Sequence, residues 1–327
     1  MRDSESAWRT ALYGPEGFFS RGAVPADHFR TAPLIGPELA EALLVLLDRV
    51  DFALGRPARV DFVDVGAGGG ELSAAIRALA PARLADRLHV TAVDVGPARA
   101  LPGVEWTRDL PAAVHGLLVG HEWLDAIPCP LVVGPHDDPW LTRWWPLEPG
   151  RRAEIGAPRD RAWADAVGRV HGAALAVDYG HLRADRAAGR YPEGTFAAYR
   201  AGRRVPPVFD GSCDLTAHVA LDACAEAAGG DWVLVSQRDA LAALTPTNQP
   251  TGQPATGRAT RGTGMAWLES AARASRVAEL RAVGGLGSFG WLLHGVGVPV
   301  ADLLPPLPPW RPRPDHESGQ PGCPPAH

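Results

Sequence analysis

The feature that most narrows what this chain can fold into is a short apolar run, Val60 to Val65, that ends in a cluster of glycines. The sequence continues Gly66-Ala67-Gly68-Gly69-Gly70-Glu71-Leu72 and then reads as a helix over residues 71–80. A strand, a tight turn and a helix are therefore expected in succession. Glycines suit a place where backbone must turn sharply and approach a ligand with no Cβ in the way, and the first turn of a helix offers unpaired N–H groups. Further apolar runs predict strands over 89–95, 117–120 and 173–177, with weaker ones over 232–235 and 289–293. A helix is expected at Pro37, which suits a first turn, with Leu39, Leu43, Leu44, Leu46 and Leu47 giving a broad apolar face. Strands alternating with helices argue for a doubly wound α/β fold, with a mainly parallel sheet and inserted helical or loop segments. Ligands of such sheets bind beyond the carboxyl ends of the strands, and the polar residues of interest follow strands.

The loop limits its own ligand. A dinucleotide fingerprint wants Gly or Ala where Glu71 stands, and a carboxylate there would repel a pyrophosphate. The phosphate-binding pattern G-x-x-x-x-G-K-[ST] is impossible, because the chain contains no Lys. The loop reads Asp-x-Gly-x-Gly-x-Gly from Asp64. It resembles the first motif of Rossmann-like, class I methyltransferases that use S-adenosyl-L-methionine, a ligand with no phosphate. The resemblance implies that Asp64, Gly66, Ala67, Gly68 and Gly70 surround its amino-acid end and sulfonium. Asp94, followed by Val95, comes next after a strand. Its carboxylate can accept both ribose hydroxyl hydrogen bonds, or it can cap a following helix. Asp109, in Trp106-Thr107-Arg108-Asp109-Leu110, is placed to reach the adenine amine.

Further segments, in order, resemble one family, the MidA methyltransferases, which include the mitochondrial complex I assembly arginine methyltransferase. They are His28-Phe29-Arg30-Thr31-Ala32-Pro33-Leu34-Ile35, His121-Glu122-Trp123-Leu124-Asp125-Ala126-Ile127-Pro128 and Asp178-Tyr179-Gly180. Gly194 to Arg200, Asp214-Leu215-Thr216-Ala217-His218-Val219 and, loosely, Gly287 to Leu292 complete the set. The resemblance implies S-adenosylmethionine as cofactor, Thr31 and Pro33 beside it, and a protein arginine as methyl acceptor. The chain departs from the family at His121, where the family has Asn, at Leu34, where it has Glu, and at His28, where it has an acid. Those departures leave room for a shifted substrate, or for a non-catalytic assembly factor that keeps the fold.

An arginine acceptor starts fully protonated. A carboxylate pair can hold it, and one member can accept the departing proton. Glu122 and Asp125 are the candidates: spaced three apart after a strand, they share one face if they start a helical turn. The other reading has Asp125 capping a helix and Glu122 solvated. Asp178, Tyr179 and His181 follow another strand and are candidate substrate contacts, with His181 a base near neutral pH or a structural residue. Asp214 and His218 lack a third partner for a metal and read as structural or substrate-facing.

Composition restricts the remaining classes. With 327 residues, 46% of them hydrophobic, the chain can bury a substantial core. A net charge of -5 gives no excess for nucleic acid or an anionic membrane. Apolar runs fall short of the ~20 residues of a membrane helix and Met1 to Thr10 is unlike a signal peptide, so a cytoplasmic protein is expected. Cys129, Cys213, Cys224 and Cys323 lack C-x-x-C spacing, so neither a metal site nor a disulfide framework is expected. Three regions follow: an irregular segment over 1–35, one domain over 36–304 with a disordered loop over 245–264, and a disordered Pro-rich tail over 305–327. A small-molecule methyltransferase is a further reading, and a dehydrogenase is disfavoured by Glu71.

Overall fold

A computed structural model describes residues 3–22, 31–245 and 261–312 of the protein. Seven strands form its main sheet: β1 Val60–Val65, β2 Leu88–Val93, β3 Val104–Thr107, β4 Val114–His121, β5 Val170–Asp178, β6 Asp231–Ser236 and β7 Gly290–Val296. Their spatial order is 3-2-1-4-5-7-6. All neighbours pair parallel except at β7, which runs antiparallel to both β5 and β6. The chain leaves β1 in one direction for β2 and β3, and returns to β1's other side for β4. A crevice therefore opens beyond the carboxyl ends of β1 and β4, where such sheets bind ligands.

Register places consecutive residues on opposite faces. Leu117 and Val119 join one core cluster, with Leu39, Leu43, Leu46, Leu47 and Val50 of helix α3 (Glu38–Ala53). Leu118 joins the other, with Trp163 of helix α5 (Ala157–Gly168). Covering both faces is what gives the middle strands their unbroken apolar character. Strands β4 and β5 begin earlier than their apolar runs suggest. Gly116 and Gly172 pair across the two strands, and a Cβ on either would lie about 2.1–2.2 Å from neighbouring backbone oxygen. The close approach requires glycine, which interrupts the apolar signal. β3 was not expected from sequence: it is four residues long and no residue in it is fully buried.

Three boundaries are corrected. The irregular segment over 1–35 contains helix α1 (Ser4–Tyr13) and a single turn, α2 (Ala32–Ile35). In α1, Asp3 caps the first turn and Trp8, Ala11 and Leu12 face inward at helical spacing; the Gly14, Pro15 and Gly17 that follow end the helix rather than prevent it. Within 245–264, residues 261–264 belong to helix α6 (Arg261–Leu280), and 246–260 lie outside the described residues, as does His28. The tail is ordered as far as residue 312. Pro309 bridges Val235, Trp310 is buried, its N–H donates to the Leu234 carbonyl at 2.9 Å, and its Nε1 donates to the Ser288 carbonyl at 2.9 Å. Proline needs no ladder partner at an edge, so a Pro-rich stretch can lie along β6 and deliver one large anchor. Trp310→Ala should cost about 3–5 kcal/mol, the range for deleting a buried indole, read as a lower melting temperature. Unchanged melting would show that the indole contributes nothing.

Among the described residues no helix is long and apolar enough to cross a membrane.

Candidate active site

Two adjoining cavities lie at the crevice. The larger, about 910 Å³, runs from the glycine loop past α1 to one face of α5. The smaller, about 80 Å³, sits between the glycine loop, α2, the segment after β4 and the short strand Asp214–Thr216. Gly66, Gly68, Glu122 and Ala126 line both. Helix α1 is fastened over the site by two hydrogen bonds, from Trp8 Nε1 to the Leu215 carbonyl at 3.2 Å and from the Tyr13 hydroxyl to the Ala126 carbonyl at 2.9 Å.

The turn from β1 into helix α4 (Glu71–Leu79) uses left-handed backbone at Gly66, Gly68 and Gly70, with φ of 74°, 58° and 83°. Other residues would be strained there. Gly66 also faces Trp123, whose Cδ1 would be 3.1 Å from an added Cβ. Asp94 holds the loop: its two oxygens accept from the N–H of Gly68 at 2.8 Å and of Gly96 at 2.7 Å. No helix follows it, so helix capping is not its role. A carboxylate has about four acceptor positions, which leaves two, at the wall of the larger cavity, for a vicinal diol. Val95 and Asp109 line the same cavity and are exposed.

Asp64, Ala67, Thr31 and Pro33 line the smaller cavity instead. Asp64 is buried and accepts from Ser73 Oγ at 2.8 Å. Burial, with Asp94 and Glu71 adding repulsion, pushes its carboxyl up to about 7.

The segment after β4 does not form a helical turn, contrary to the expected basis for pairing Glu122 with Asp125. Glu122 has a left-handed φ of 50° and its N–H donates to the Val177 carbonyl at 2.8 Å. The two carboxyls nevertheless reach the same cavity, with Asp214 as a third. Glu122 Oε1, Asp125 Oδ1 and Asp214 Oδ1 are all buried without a hydrogen-bond partner. Burial first, then the neighbouring Asp125 and Asp214, pushes Glu122 up to about 8. Burial and Asp125 push Asp214 up to about 7. His121 offers no relief: its Nδ1 is 3.5 Å from Glu122 Oε1, and burial pushes the imidazole down to about 4, leaving it neutral. Uncompensated carboxylates in a dry site are strongly unfavourable. Glu122 and Asp214 therefore hold protons, or a cation that replaces them. A cavity of about 80 Å³ exceeds the ~10–15 Å³ one water needs and suits a compact cationic group.

The candidate substrate contacts Asp178, Tyr179 and His181 line neither cavity. Asp178 accepts from the backbone N–H of Leu124, Asp125 and Tyr179 at 3.1, 3.2 and 3.0 Å. The Tyr179 hydroxyl donates to Asp125 Oδ2, which also accepts from Thr216 Oγ1 at 2.7 Å. His181 is buried against Arg186, its Nδ1 2.9 Å from the guanidinium, and burial lowers its pKa well below the usual range. Asp178 and Tyr179 thus position Asp125, while His181 packs apart from the site. Asp214 was the functional candidate that sequence reasoning undervalued; its Asp-Leu-Thr context in the family resemblance was the available signal.

Residues 145–235 match a family described as "Putative S-adenosyl-L-methionine-dependent methyltransferase". No curated protein sequence matches the chain. Among solved structures, a COG1565 superfamily member from Burkholderia thailandensis bound to S-adenosyl-homocysteine is similar, with a TM-score of 0.69 and 21% identity over 90% of this chain and 88% of that one. A native structure of a COG1565 superfamily protein from the same organism gives a TM-score of 0.69 and 22% identity over 93% and 90%. At that identity the likeness shows the fold, a Rossmann-like one shared along almost the whole length.

Proposed function

We propose that this protein is an S-adenosylmethionine-dependent methyltransferase whose acceptor is an arginine side chain of a protein. The observation that carries the reading is the set of three unpartnered carboxylate oxygens next to the glycine loop and Asp94. When bound, the cofactor supplies an electrophilic methyl group on a sulfonium centre. Asp94 would hold its ribose, and the Cβ-free loop at Gly66 and Gly68 admits its amino-acid end. Asp109, exposed on the wall of the same cavity, would reach the adenine amine. The solved relative bound to S-adenosyl-homocysteine supports this assignment, and the MidA resemblance supports arginine as the acceptor.

The protein's own residues then do three things. Trp8 and Tyr13 hold α1 across the site. Asp125, oriented by Tyr179 and Thr216, joins Glu122 and Asp214 in gripping a guanidinium, a charge-assisted contact. Glu122, poised near the working pH, accepts the proton released when a guanidinium nitrogen is methylated. Calorimetry with S-adenosylmethionine, S-adenosylhomocysteine and NAD tests the cofactor assignment. Micromolar-range binding of the two sulfur ligands and none of NAD is expected; NAD binding while both sulfur ligands fail would overturn it.

A further inference from the structure

We propose that the acceptor protein presents acidic residues beside the methylated arginine, and that these bind in an arginine-lined groove between α5 and the loops after β2 and β3. The inference rests on the methyltransfer reading and adds the substrate's charge pattern.

The larger cavity continues well beyond the glycine loop. On one side Pro158, Arg161, Ala162 and Asp165 form one face of α5, at spacings of three and four. On the other side stand Arg99 and Arg108. The groove is closed at one end by Arg169, whose guanidinium reaches the carbonyls of Leu110 at 3.4 Å and Pro111 at 3.3 Å.

Two of the lining arginines are already neutralised. Arg9 pairs with Glu5 at 2.8 Å, and Arg169 pairs with Asp165 through both oxygens at 3.1 Å. Arg99, Arg108 and Arg161 have no carboxylate or hydrogen-bond partner among the described residues. Of the remaining lining carboxylates, Asp94 is taken up by the loop amides and Glu122 lies in the acidic cavity, which leaves the exposed Asp109, among the described residues, as the one free carboxylate beside three free arginines. Three permanently charged guanidiniums against one free carboxylate therefore line one groove of a chain whose net charge is -5. Single exposed ion pairs contribute little. Several cations along one cleft steer and retain an anionic partner, and guanidinium matches carboxylate geometry. A cavity of about 910 Å³ is also at the upper end for a single small ligand, roughly 300–1,000 Å³, so it has room for cofactor and part of an acceptor. Acid at one end and base at the other describe a substrate segment of complementary charge order.

The test measures binding of decaglutamate peptide to the full-length protein, with and without S-adenosylhomocysteine. Salt-sensitive binding is expected, weakened about twofold to thirtyfold in the Arg108→Gln, Arg161→Gln double variant, the scale of two lost exposed pairs. S-adenosylhomocysteine affinity in that variant should match wild type. Failure of S-adenosylhomocysteine to bind wild type would sink the methyltransfer reading, and the peptide arm without it would still decide the groove. Absence of decaglutamate binding, retention of it in the double variant, or equal competition by inorganic phosphate or oligothymidylate would overturn the proposal.

Discussion

Glu122→Gln should reduce methyl transfer by ~10²-fold or more, the scale of losing a positioned proton acceptor, while S-adenosylhomocysteine affinity stays within a few-fold. The substitution keeps the shape of a side chain that lines both cavities and removes its charge, and with it both its grip on the acceptor and its ability to take the proton. Wild-type activity should fall as pH drops below about 8, because Glu122 is pushed up to about 8 and must be ionised to act. The stability effect has the opposite sense. Between its ordinary value of 4.5 and about 8, the folded protein binds a proton at Glu122 that the unfolded chain has released. Stability of the cation-free protein is therefore lost as pH rises through that window. The Gln variant should melt above wild type at pH 8 and level with it near the lower end of the window. Single-turnover methyl transfer into lysate proteins, with calorimetric scans at both pH values, checks both forecasts. Equal rates would remove Glu122 from the chemistry; a variant melting lower at pH 8 would show that its carboxyl is not held in a desolvated site.

Asp94→Ala should weaken cofactor binding by ~10²-fold or more. Each of two hydrogen bonds to a charged acceptor is worth about 1.5–3 kcal/mol, and every 1.4 kcal/mol is about tenfold in affinity. The same change also releases the N–H groups of Gly68 and Gly96, so the glycine loop loses the anchor that fixes it beside the ligand. Calorimetry with S-adenosylhomocysteine measures the effect. An affinity equal to wild type would take the ribose role away from Asp94.

Local signals account for what was legible from sequence. The β1–loop–α4 unit, Asp94 and the apolar face of α3 are each encoded within about 20 residues, and the structure has them where the pattern puts them. Signals were lost where partners are distant. The short β3 buries too little to show a period. Trp310 reads as part of a tail until β6 and Ser288 supply its hydrogen bonds. Asp178 and Asp214 both stand at strand ends and look equivalent along the chain. One turns back to brace Leu124 and Asp125, and the other faces the cavity with an unpartnered oxygen. Only the tertiary arrangement separates a supporting carboxylate from a presented one.

The bracing of Asp125 bears on how such a pocket can diverge. Its carboxylate is held by Tyr179 and Thr216, and its backbone N–H by Asp178, so three stretches of chain meet in one buried polar knot. Exchanging any member alone strands a buried donor or acceptor, which costs more than the lost bond itself. Descendants of this sequence must therefore keep these four residues as a block or replace them together. Leu34 and His121 stand on the cavity wall outside the knot. They are positions where lineages can drift singly, altering the acceptor without dismantling the frame.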